Sequence, residues 1–203
     1  MTARPRVVLA TRNAHKLGEL GDILVEAGLD LDLVGVGEFP DVPDVAEVGA
    51  TFAENALLKA RAVANATGLP AVADDSGLCV DALNGMPGVL SARWAGRHGQ
   101  DRANLDLVLA QTAEVPDERR GARFVCSAAL ALPGGVERVA EGELRGWLER
   151  APRGTGGFGY DPILRPDGED RTTAEMTARE KNAISHRGRA LRALAPQLRI
   201  LLR

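Results

Sequence analysis

The chain has 203 residues, of which 45% are hydrophobic, 26% are charged and only 3% are aromatic. This length and composition suit one globular domain, spanning residues 1–203, whose core is built mainly from Val, Leu and Ala. The formal net charge of −3 leaves no basic surplus for a nucleic-acid backbone, so a polymeric substrate is not favoured. No apolar segment approaches the ~20 residues of a membrane helix, and Met1–Leu9 lacks the apolar region of a signal peptide. We therefore expect a cytoplasmic protein.

The two cysteines, Cys79 and Cys126, both lie inside apolar runs. Two buried thiols are favoured over the alternative, a disulfide. Free thiols are typical of proteins in a reducing compartment, in agreement with the expected cytoplasmic location.

The first predicted elements are a strand, a loop, a helix and a second strand. Val7–Ala10 is typical of a short buried strand, and the polar stretch Thr11–Asn13 follows it. Apolar residues at three- and four-residue spacing over Leu17–Ala27 predict a helix that Gly28 ends. Leu31–Val36 predicts the second strand.

An irregular loop is predicted over Phe39–Val48, which contains two prolines and several acids. Thr51–Glu54 matches the capping box, in which the Thr hydroxyl and the Glu side chain reciprocally satisfy helix N–H groups. This motif predicts an alanine-rich helix that reaches Ala66. Ala71–Ala73 is too short for anything but a buried strand, and it leads directly into two aspartates.

The second half of the chain predicts a helix, a hairpin and a helical C-terminus. Asp101–Gln111 has a helical pattern, and the strands Ala122–Leu132 and Val136–Leu144 flank a Pro-Gly-Gly turn. Thr177–Glu180 is a second capping box, and the helix that it opens restarts near Ser185. Strands and helices mix without strict alternation, which indicates an α/β fold with a mixed sheet in two lobes.

Asp74 and Asp75 form the first group that could carry chemistry. Two adjacent carboxylates repel each other unless a cation or hydrogen bonds neutralise them. In open α/β sheets, ligands bind at the carboxyl ends of the strands, where this pair is predicted to lie. Mg²⁺ prefers one or two carboxylates together with water and substrate phosphates. The alternative is an exposed turn in which one Asp caps the following backbone.

Thr11–Asn13 and Lys16 form a candidate phosphate site at the start of the first helix. N–H groups at a helix N-terminus and a nearby ammonium together favour an anion. The alternative is that Asn13 only caps a surface helix and that Lys16 is solvated.

A glycine-rich loop, Gly154–Asp161, formally contains the G-x-G-x-x-G dinucleotide fingerprint. We reject that match because the fingerprint needs a helix to open from the loop, and Pro162 and Pro166 prevent one there. The loop carries Phe158 and Tyr160 in a chain with few aromatic residues. A purine stacked on such a ring gains about 1–3 kcal/mol; the alternative is that the rings anchor the loop to the core.

Lys181, Ser185, His186 and Arg187 place several hydrogen-bond donors within two helical turns. A helix restart at Ser185 would put His186 and Arg187 at a helix N-terminus, whereas the alternative is a solvated basic face. The sequence has no Cys/His cluster with zinc spacing and no G-x-S-x-G nucleophile motif, so covalent catalysis is unsupported.

Taken together, six segments resemble the inosine triphosphatase family, the non-standard purine nucleoside triphosphate pyrophosphatases. They follow the family's order, cover nearly the whole chain and are highly specific as a set. The segments are Leu9–Lys16, Thr51–Ala56, Ala73–Leu78, Pro87–Gly88 with Ser91–Arg93, Gly154–Pro162 and Glu180–Gly188.

The resemblance implies an elongated α/β fold with a long mixed sheet and a nucleotide-binding cleft between two lobes, usually as a homodimer. It implies Mg²⁺-dependent cleavage of ITP, dITP and XTP between the α- and β-phosphates, which cleanses the nucleotide pool. Asp75 matches the catalytic acceptor and a metal ligand, and Glu47 is the nearest match for a second metal ligand. Ala46 and Val48 stand where relatives often carry another acid or a Thr, which weakens the Glu47 assignment.

The resemblance also implies a set of substrate contacts in the phosphate loop, the glycine-rich loop and the C-terminal helices. These are Thr11, Arg12, Asn13, Ala14, His15, Lys16, Ser76, Phe158, Gly159, Tyr160, Asp161, Lys181, His186 and Arg187. Arg12 stands at a position that is often small or polar in the family.

Three other functions remain open at this point. One is a pyrophosphatase for modified pyrimidine triphosphates, which can share this architecture. Another is a nucleotide-binding module without turnover, against which the Asp74 and Asp75 carboxylates argue. An NAD-linked oxidoreductase rests only on the rejected glycine match.

Overall fold

The computed structural model describes residues 4–202, except for the side chains of residues 14 and 15. The helices are α1 (Ala14–Glu26), α2 (Phe52–Thr67), α3 (Asp101–Gln111), α4 (Ala178–Ile184) and α5 (His186–Leu201). The strands are β1 (Arg6–Leu9), β2 (Asp32–Gly35), β3 (Ala71–Val80), β4 (Gly121–Ala131), β5 (Glu137–Leu148) and β6 (Leu164–Pro166). Within residues 4–202, no helix combines the length and the apolar character needed to cross a bilayer.

The six strands form one mixed sheet in the order β2-β1-β3-β4-β5-β6. Strand β1 pairs in parallel with β2 and with β3, and Val8 lies opposite Val34 on one side and Ala71 on the other. Strands β5 and β6 pair antiparallel, with Trp147 opposite Arg165. Parallel and antiparallel pairs therefore occur in the same sheet, and the predicted mixed-sheet α/β class is confirmed.

The chain divides into two compact units, and strands β3, β4 and β5 contribute residues to both. Unit 1 consists of the described residues of Met1–Asp75, Cys126–Gly142 and Arg187–Arg203, and unit 2 of Ser76–Val125 and Glu143–His186.

Unit 1 has two aliphatic clusters, because β1 is buried on both of its faces. Successive side chains of a strand point to opposite faces, so Val7 and Leu9 join one cluster while Val8 joins the other. The first cluster includes buried leucines of α1 and α5, and the second includes Ala56 and Ala60 of α2. The small side chains of α2 allow that helix to pack closely on the sheet.

Unit 2 has its own core, which includes Leu78, Leu105, Phe124 and Ile163. The only tyrosine and both tryptophans of the chain belong to this unit: the Tyr160 ring is part of the core, Trp94 packs against it, and Trp147 is 37% exposed. As the composition predicted, aliphatic residues fill most of both cores.

The predicted cap of α2 forms only in part. The Thr51 side chain accepts a hydrogen bond from the Glu54 N–H at 3.1 Å, as the motif requires. The Glu54 carboxylate, however, accepts from the N–H of Ala50 at 2.7 Å, one residue before the cap. At Thr177 the box is complete, and Ser185 separates α4 from α5 with extended backbone angles, so the predicted restart is confirmed.

One prediction about the sheet was wrong. Ala71–Ala73 was expected to be a three-residue strand ending before Asp74, but β3 continues through both aspartates to Val80. Strand β1 pairs with only the first two residues of β3, so both carboxylates lie beyond the end of that parallel neighbour. They are tolerated inside a strand because cationic side chains from distant segments neutralise them.

Both cysteines are free and buried, as predicted. Burial raises the pKa of the Cys79 thiol, and burial together with the nearby Asp74 charge raises that of Cys126. Both groups therefore stay protonated at neutral pH and behave as small apolar side chains rather than as nucleophiles.

Candidate active site

Asp74 is the centre of a buried ionic network in unit 1. Its side chain is 1% exposed, and its Oδ2 atom lies 3.2 Å from Lys16 Nζ and 3.1 Å from Arg187 Nε. Lys16 lies in the first turn of α1 and Arg187 in the first turn of α5. Burial opposes ionisation, but the charges of Lys16 and Arg187 outweigh it and hold the pKa of Asp74 below its ordinary value. Asp74 is therefore ionised at neutral pH.

Arg187 joins Asp74 to a second carboxylate. Its side chain is only 2% exposed, and Nη1 donates to Glu19 of α1 while Nε donates to Asp74. One guanidinium thus links α1, β3 and the start of α5. The resemblance implied that Arg187 contacts the nucleotide, and within unit 1 these two bonds make it part of the Asp74 network.

Asp75 points the other way and meets α2. Consecutive strand residues face opposite sides of the sheet, which separates the partners of the two aspartates. The Oδ2 atom of Asp75 accepts from Asn55 Nδ2 at 3.0 Å, and its Oδ1 atom lies 3.5 Å from Lys59 Nζ. The same ammonium lies 2.6 Å from Glu47 Oε1. Glu47 and Asp75 therefore both contact the Lys59 ammonium.

The pKa of Asp75 is raised, in contrast to that of its neighbour. Burial is the main cause and the Glu47 charge adds to it, while Lys59, Lys16 and the Asn55 hydrogen bond oppose the rise. A carboxylate with a raised pKa is a better proton acceptor than an exposed aspartate. Of the two aspartates, Asp75 is therefore the candidate for a general base.

The oxygen donors around Lys59 fit a hard divalent cation. Glu47 and Asp75 offer two carboxylates, and Mg²⁺ usually takes one or two from the protein and fills its other positions with water and phosphate. No group of three or more His, Cys, Asp or Glu side chains that could hold a metal occurs within the described residues. A two-carboxylate site that also uses substrate oxygens is consistent with that finding.

The predicted phosphate loop is held by its own side chains. Asn13 Oδ1 accepts from the Lys16 N–H at 3.3 Å, which caps α1, and Thr11 Oγ1 accepts from the Asn13 N–H at 3.2 Å. Arg12 donates to Asp44 at 2.8 Å and to the Val42 carbonyl at 2.7 Å. Arg12 therefore fastens this loop to the segment that precedes Glu47. The side chains of Ala14 and His15 lie outside the described residues.

Unit 2 places two of the predicted substrate contacts, Phe158 and Lys181, around a third, the buried carboxylate of Asp161. Asp161 Oδ2 accepts from Lys181 Nζ at 2.8 Å and from the Phe158 N–H at 2.9 Å. Its other oxygen accepts from Thr173 at 2.8 Å. Lys181 Nζ lies 5.0 Å from the centre of the Phe158 ring, within cation–π range. Asp161 thus fixes both the glycine-rich loop and the ammonium.

The remaining predicted substrate contacts in unit 2 differ in which partners their rings and polar groups already have within the protein. The Tyr160 ring is buried and its hydroxyl donates to the Ser91 carbonyl at 2.9 Å, so it anchors the loop. The His186 ring stacks on Phe124 with centroids 4.9 Å apart. The Gly159 N–H donates to Asp101, and Ser76 is half-buried in β3 directly after Asp75.

Asn55 and Lys59 were not identified from the sequence, although both contact Asp75. A signal for Lys59 was present in the composition. The chain contains 25 basic residues but only three lysines, and these are Lys16, Lys59 and Lys181. Lys16 and Lys181 already belonged to candidate sites. The rarity of lysine therefore made Lys59 a candidate as well. Asn55 had no comparable signal beyond its place in the Thr51 motif.

Comparison with known proteins gives matches over nearly the whole chain. The Ham1 family model matches residues 7–197. A protein of Streptomyces coelicolor named dITP/XTP pyrophosphatase is 70% identical over 197 residues, which cover 97% of this chain and 98% of that one.

Solved structures give similar matches. The crystal structure of a nucleoside-triphosphatase / dITP/XTP pyrophosphatase from Mycobacterium abscessus is 55% identical, covers 94% of this chain and 99% of that one, and has a TM-score of 0.77. A HAM1 protein of Coxiella burnetii is 43% identical, covers 97% and 99%, and has a TM-score of 0.87. These likenesses support the α/β fold and the resemblance to the family.

Proposed function

We propose, because the chain belongs to the Ham1 family, that it hydrolyses the non-standard purine nucleoside triphosphates ITP, dITP and XTP to the monophosphate and pyrophosphate. Relatives at 55–70% identity that are named dITP/XTP pyrophosphatase support this activity. The chain is then a hydrolase acting on acid anhydrides, with residues 1–203 as one catalytic domain. Its proposed role is to cleanse the nucleotide pool of the cytoplasm.

One observation carries the proposal: Asp75 and Glu47 converge on the Lys59 ammonium while Asp74 next to them is committed to Lys16 and Arg187. The two lysines bring positive charge to the candidate phosphate site of a protein whose net charge is negative. A substrate with several phosphate charges needs such local cations. We assign the triphosphate to this cluster and to the Thr11–Lys16 loop.

In the proposed reaction, Asp75 accepts a proton from the attacking water. The water oxygen bonds to the α-phosphorus in line with the bond to the bridging oxygen of the β-phosphate, and that bond breaks to release pyrophosphate. Lys16 and Lys59 stabilise the charge that develops on the phosphate oxygens. The raised pKa of Asp75 suits it to the transfer.

Mg²⁺ is the proposed cofactor, with Asp75 and Glu47 as the residues that would hold it. When bound, the metal would neutralise phosphate charge and orient the triphosphate. Lys59, which contacts both carboxylates in this structure, would then be available to the phosphates. Removing the metal with a chelator is expected to abolish turnover.

We propose that substrate selectivity comes from contacts between the nucleotide base and the protein, mainly residues of unit 2. Phe158 offers a ring for stacking, and His186, Arg187 or a nearby backbone N–H offers a donor for the 6-keto oxygen of hypoxanthine or xanthine. Lys181 is a further proposed nucleotide contact. Adenine carries an amino group at that position, so a donor would meet a donor. Sites that leave buried polar groups unpaired can discriminate by about 10⁴–10⁵. Gly159 and Ser76 are further proposed contacts, and Tyr160 and Asp161 hold the loop in place.

A purified-protein assay with Mg²⁺ and ITP, dITP, XTP, ATP, GTP and dUTP tests the proposed function. Pyrophosphate and orthophosphate are measured separately. We expect pyrophosphate from ITP, dITP and XTP, with turnover of ATP and GTP lower by at least about 10²-fold. Orthophosphate release, tight binding without turnover, or a preference for dUTP would contradict the proposal.

We propose that the active form is a homodimer, as the resemblance implies. Sedimentation equilibrium is expected to give twice the 21.5 kDa mass of the chain. A mass of one chain at concentrations that support full activity would contradict this.

A further inference from the structure

Asn55 is a buried amide with one partner on each side. It lies in the first half of α2 and is fully buried. Its Oδ1 atom accepts from the Gly49 N–H at 2.7 Å, and its Nδ2 atom donates to Asp75 Oδ2 at 3.0 Å. The Gly49 N–H can only donate, so the amide oxygen must face it and the amide nitrogen must face Asp75. The orientation of this side chain is therefore fixed by its partners.

The fixed amide sets the direction of the Asp75 carboxylate. With Oδ2 held by Asn55, the other oxygen faces Lys59. Asn55 and Lys59 are four residues apart on α2, a spacing that places both on one face of the helix. One helix face thus holds the carboxylate from both of its oxygens and leaves little freedom for its torsion.

The same amide also fixes the segment that carries Glu47. Gly49 N–H bonds to Asn55, and the next N–H, that of Ala50, bonds to Glu54 of the same helix. A Cβ atom at Gly49 would lie 2.7 Å from Asn55 Oδ1 and 2.7 Å from Glu54 Cβ, so a larger residue cannot fit without displacing them. The segment is packed directly onto the amide.

We propose that Asn55 is a positioning residue for the hydrolysis. Its amide holds the Asp75 carboxylate and the segment that carries Glu47 in fixed positions relative to each other. This inference rests on the proposed function and deepens it. In this proposal Asn55 acts through the orientation of Asp75 and does not itself transfer a proton. A misplacement of about 1 Å in a reacting group can cost about 10²-fold in rate.

The first test is Asn55→Asp, which has the same shape. It keeps an oxygen for the Gly49 N–H but replaces the donor that faces Asp75 with a second oxygen. We expect kcat for ITP to fall about 100-fold while KM stays within about threefold. A crystal structure of the variant is expected to show the Asp75 carboxylate turned away from its present direction.

Asn104→Asp is the matched control. Asn104 is also buried on a helix, and it also accepts from a loop N–H, that of Ala95, at 2.7 Å. Its Nδ2 atom donates to a backbone carbonyl, that of Ala92, at 3.3 Å rather than to a carboxylate. The control has the same chemical change and is expected to lower the melting temperature without a selective loss of kcat.

Gly49→Ala also tests whether the Asn55 amide positions Asp75, and it does so without adding charge. It replaces Asn55→Asp as the test if that variant does not fold. Its Cβ atom pushes on the Asn55 amide, and kcat is expected to fall about tenfold with KM nearly unchanged. Gly37→Ala is its control, because a Cβ atom at Gly37 meets nothing within 4 Å.

Two results would overturn the inference, and a third would concern the proposed function instead. Wild-type kcat in Asn55→Asp, or in Gly49→Ala if the first variant does not fold, would show that the amide does not position Asp75. Equal losses of kcat in Asn55→Asp and Asn104→Asp, in proportion to lost stability, would make the amide merely structural. Absence of pyrophosphate release by the wild-type protein would instead remove the function on which the inference rests.

Discussion

Asp75→Asn is expected to lower kcat for ITP by about 10³-fold while the protein stays folded. The change removes a proton acceptor, and general acid–base groups contribute about 10²–10⁴-fold. Burial and the Glu47 charge raise the pKa of Asp75, which means that the fold favours a neutral group there. We therefore expect the free energy of unfolding in urea to stay within about 1 kcal/mol of wild type.

Asp74→Asn is the control, because the same change is made at the adjacent residue of β3. Lys16 and Arg187 outweigh burial and lower the pKa of Asp74, so the ionised form stabilises the fold above the ordinary aspartate pKa of about 3.9. A neutral amide loses that contribution at pH 7, and we expect a clear loss of stability. Near-normal kcat in Asp75→Asn would refute the assignment of Asp75 as the base.

Arg187→Met is expected to lower the free energy of unfolding by about 3–5 kcal/mol. The change removes one side of a buried ion pair and leaves the carboxylates of Asp74 and Glu19 with less positive charge around them. The side chain of Asp74 is 1% exposed, so water cannot replace the guanidinium. Urea denaturation of wild type and variant, followed by circular dichroism, measures the difference.

Arg102→Met is the matched control for that experiment. Arg102 also pairs with an aspartate, Asp106, at 2.8 Å, but the two side chains are 77% and 48% exposed. Exposed ion pairs of this kind contribute about 0–1 kcal/mol. If both variants lost the same small amount, the Asp74 network would not stabilise the fold in the way that its burial indicates.

The elements of this fold that the sequence predicted well have local signals. The helix Asp101–Gln111 was predicted with its observed bounds, and the hairpin of β4 and β5 followed from its Pro-Gly-Gly turn. The length of β3 was missed because two charged residues normally end a buried strand. The cations that permit them come from distant positions, and the Asp74–Arg187 bond joins residues 113 apart in sequence. No local pattern reports a contact of that kind.

The same distinction between local sequence signals and tertiary contacts applies to the candidate site. The motifs placed Asp75, Lys16, Phe158 and Lys181 in candidate site segments, although Asp75 was expected just after a strand and lies within β3. The different partners of the two aspartates could not be predicted in this way. They depend on which face of β3 meets which helix, and that is set by tertiary packing.

The distribution of aromatic residues has a practical consequence for experiments on this protein. Trp94, Trp147 and Tyr160 all belong to unit 2, so the tryptophan and tyrosine fluorescence of this protein originates in that unit. Unit 1, with Asp74, Asp75 and both of their lysines, contains neither of these fluorophores, whereas circular dichroism also detects its helices. A fluorescence titration that stays flat on adding pyrophosphate would therefore not be evidence against phosphate binding. A tryptophan introduced by Phe52→Trp, at the start of α2, would give unit 1 an optical reporter of its own.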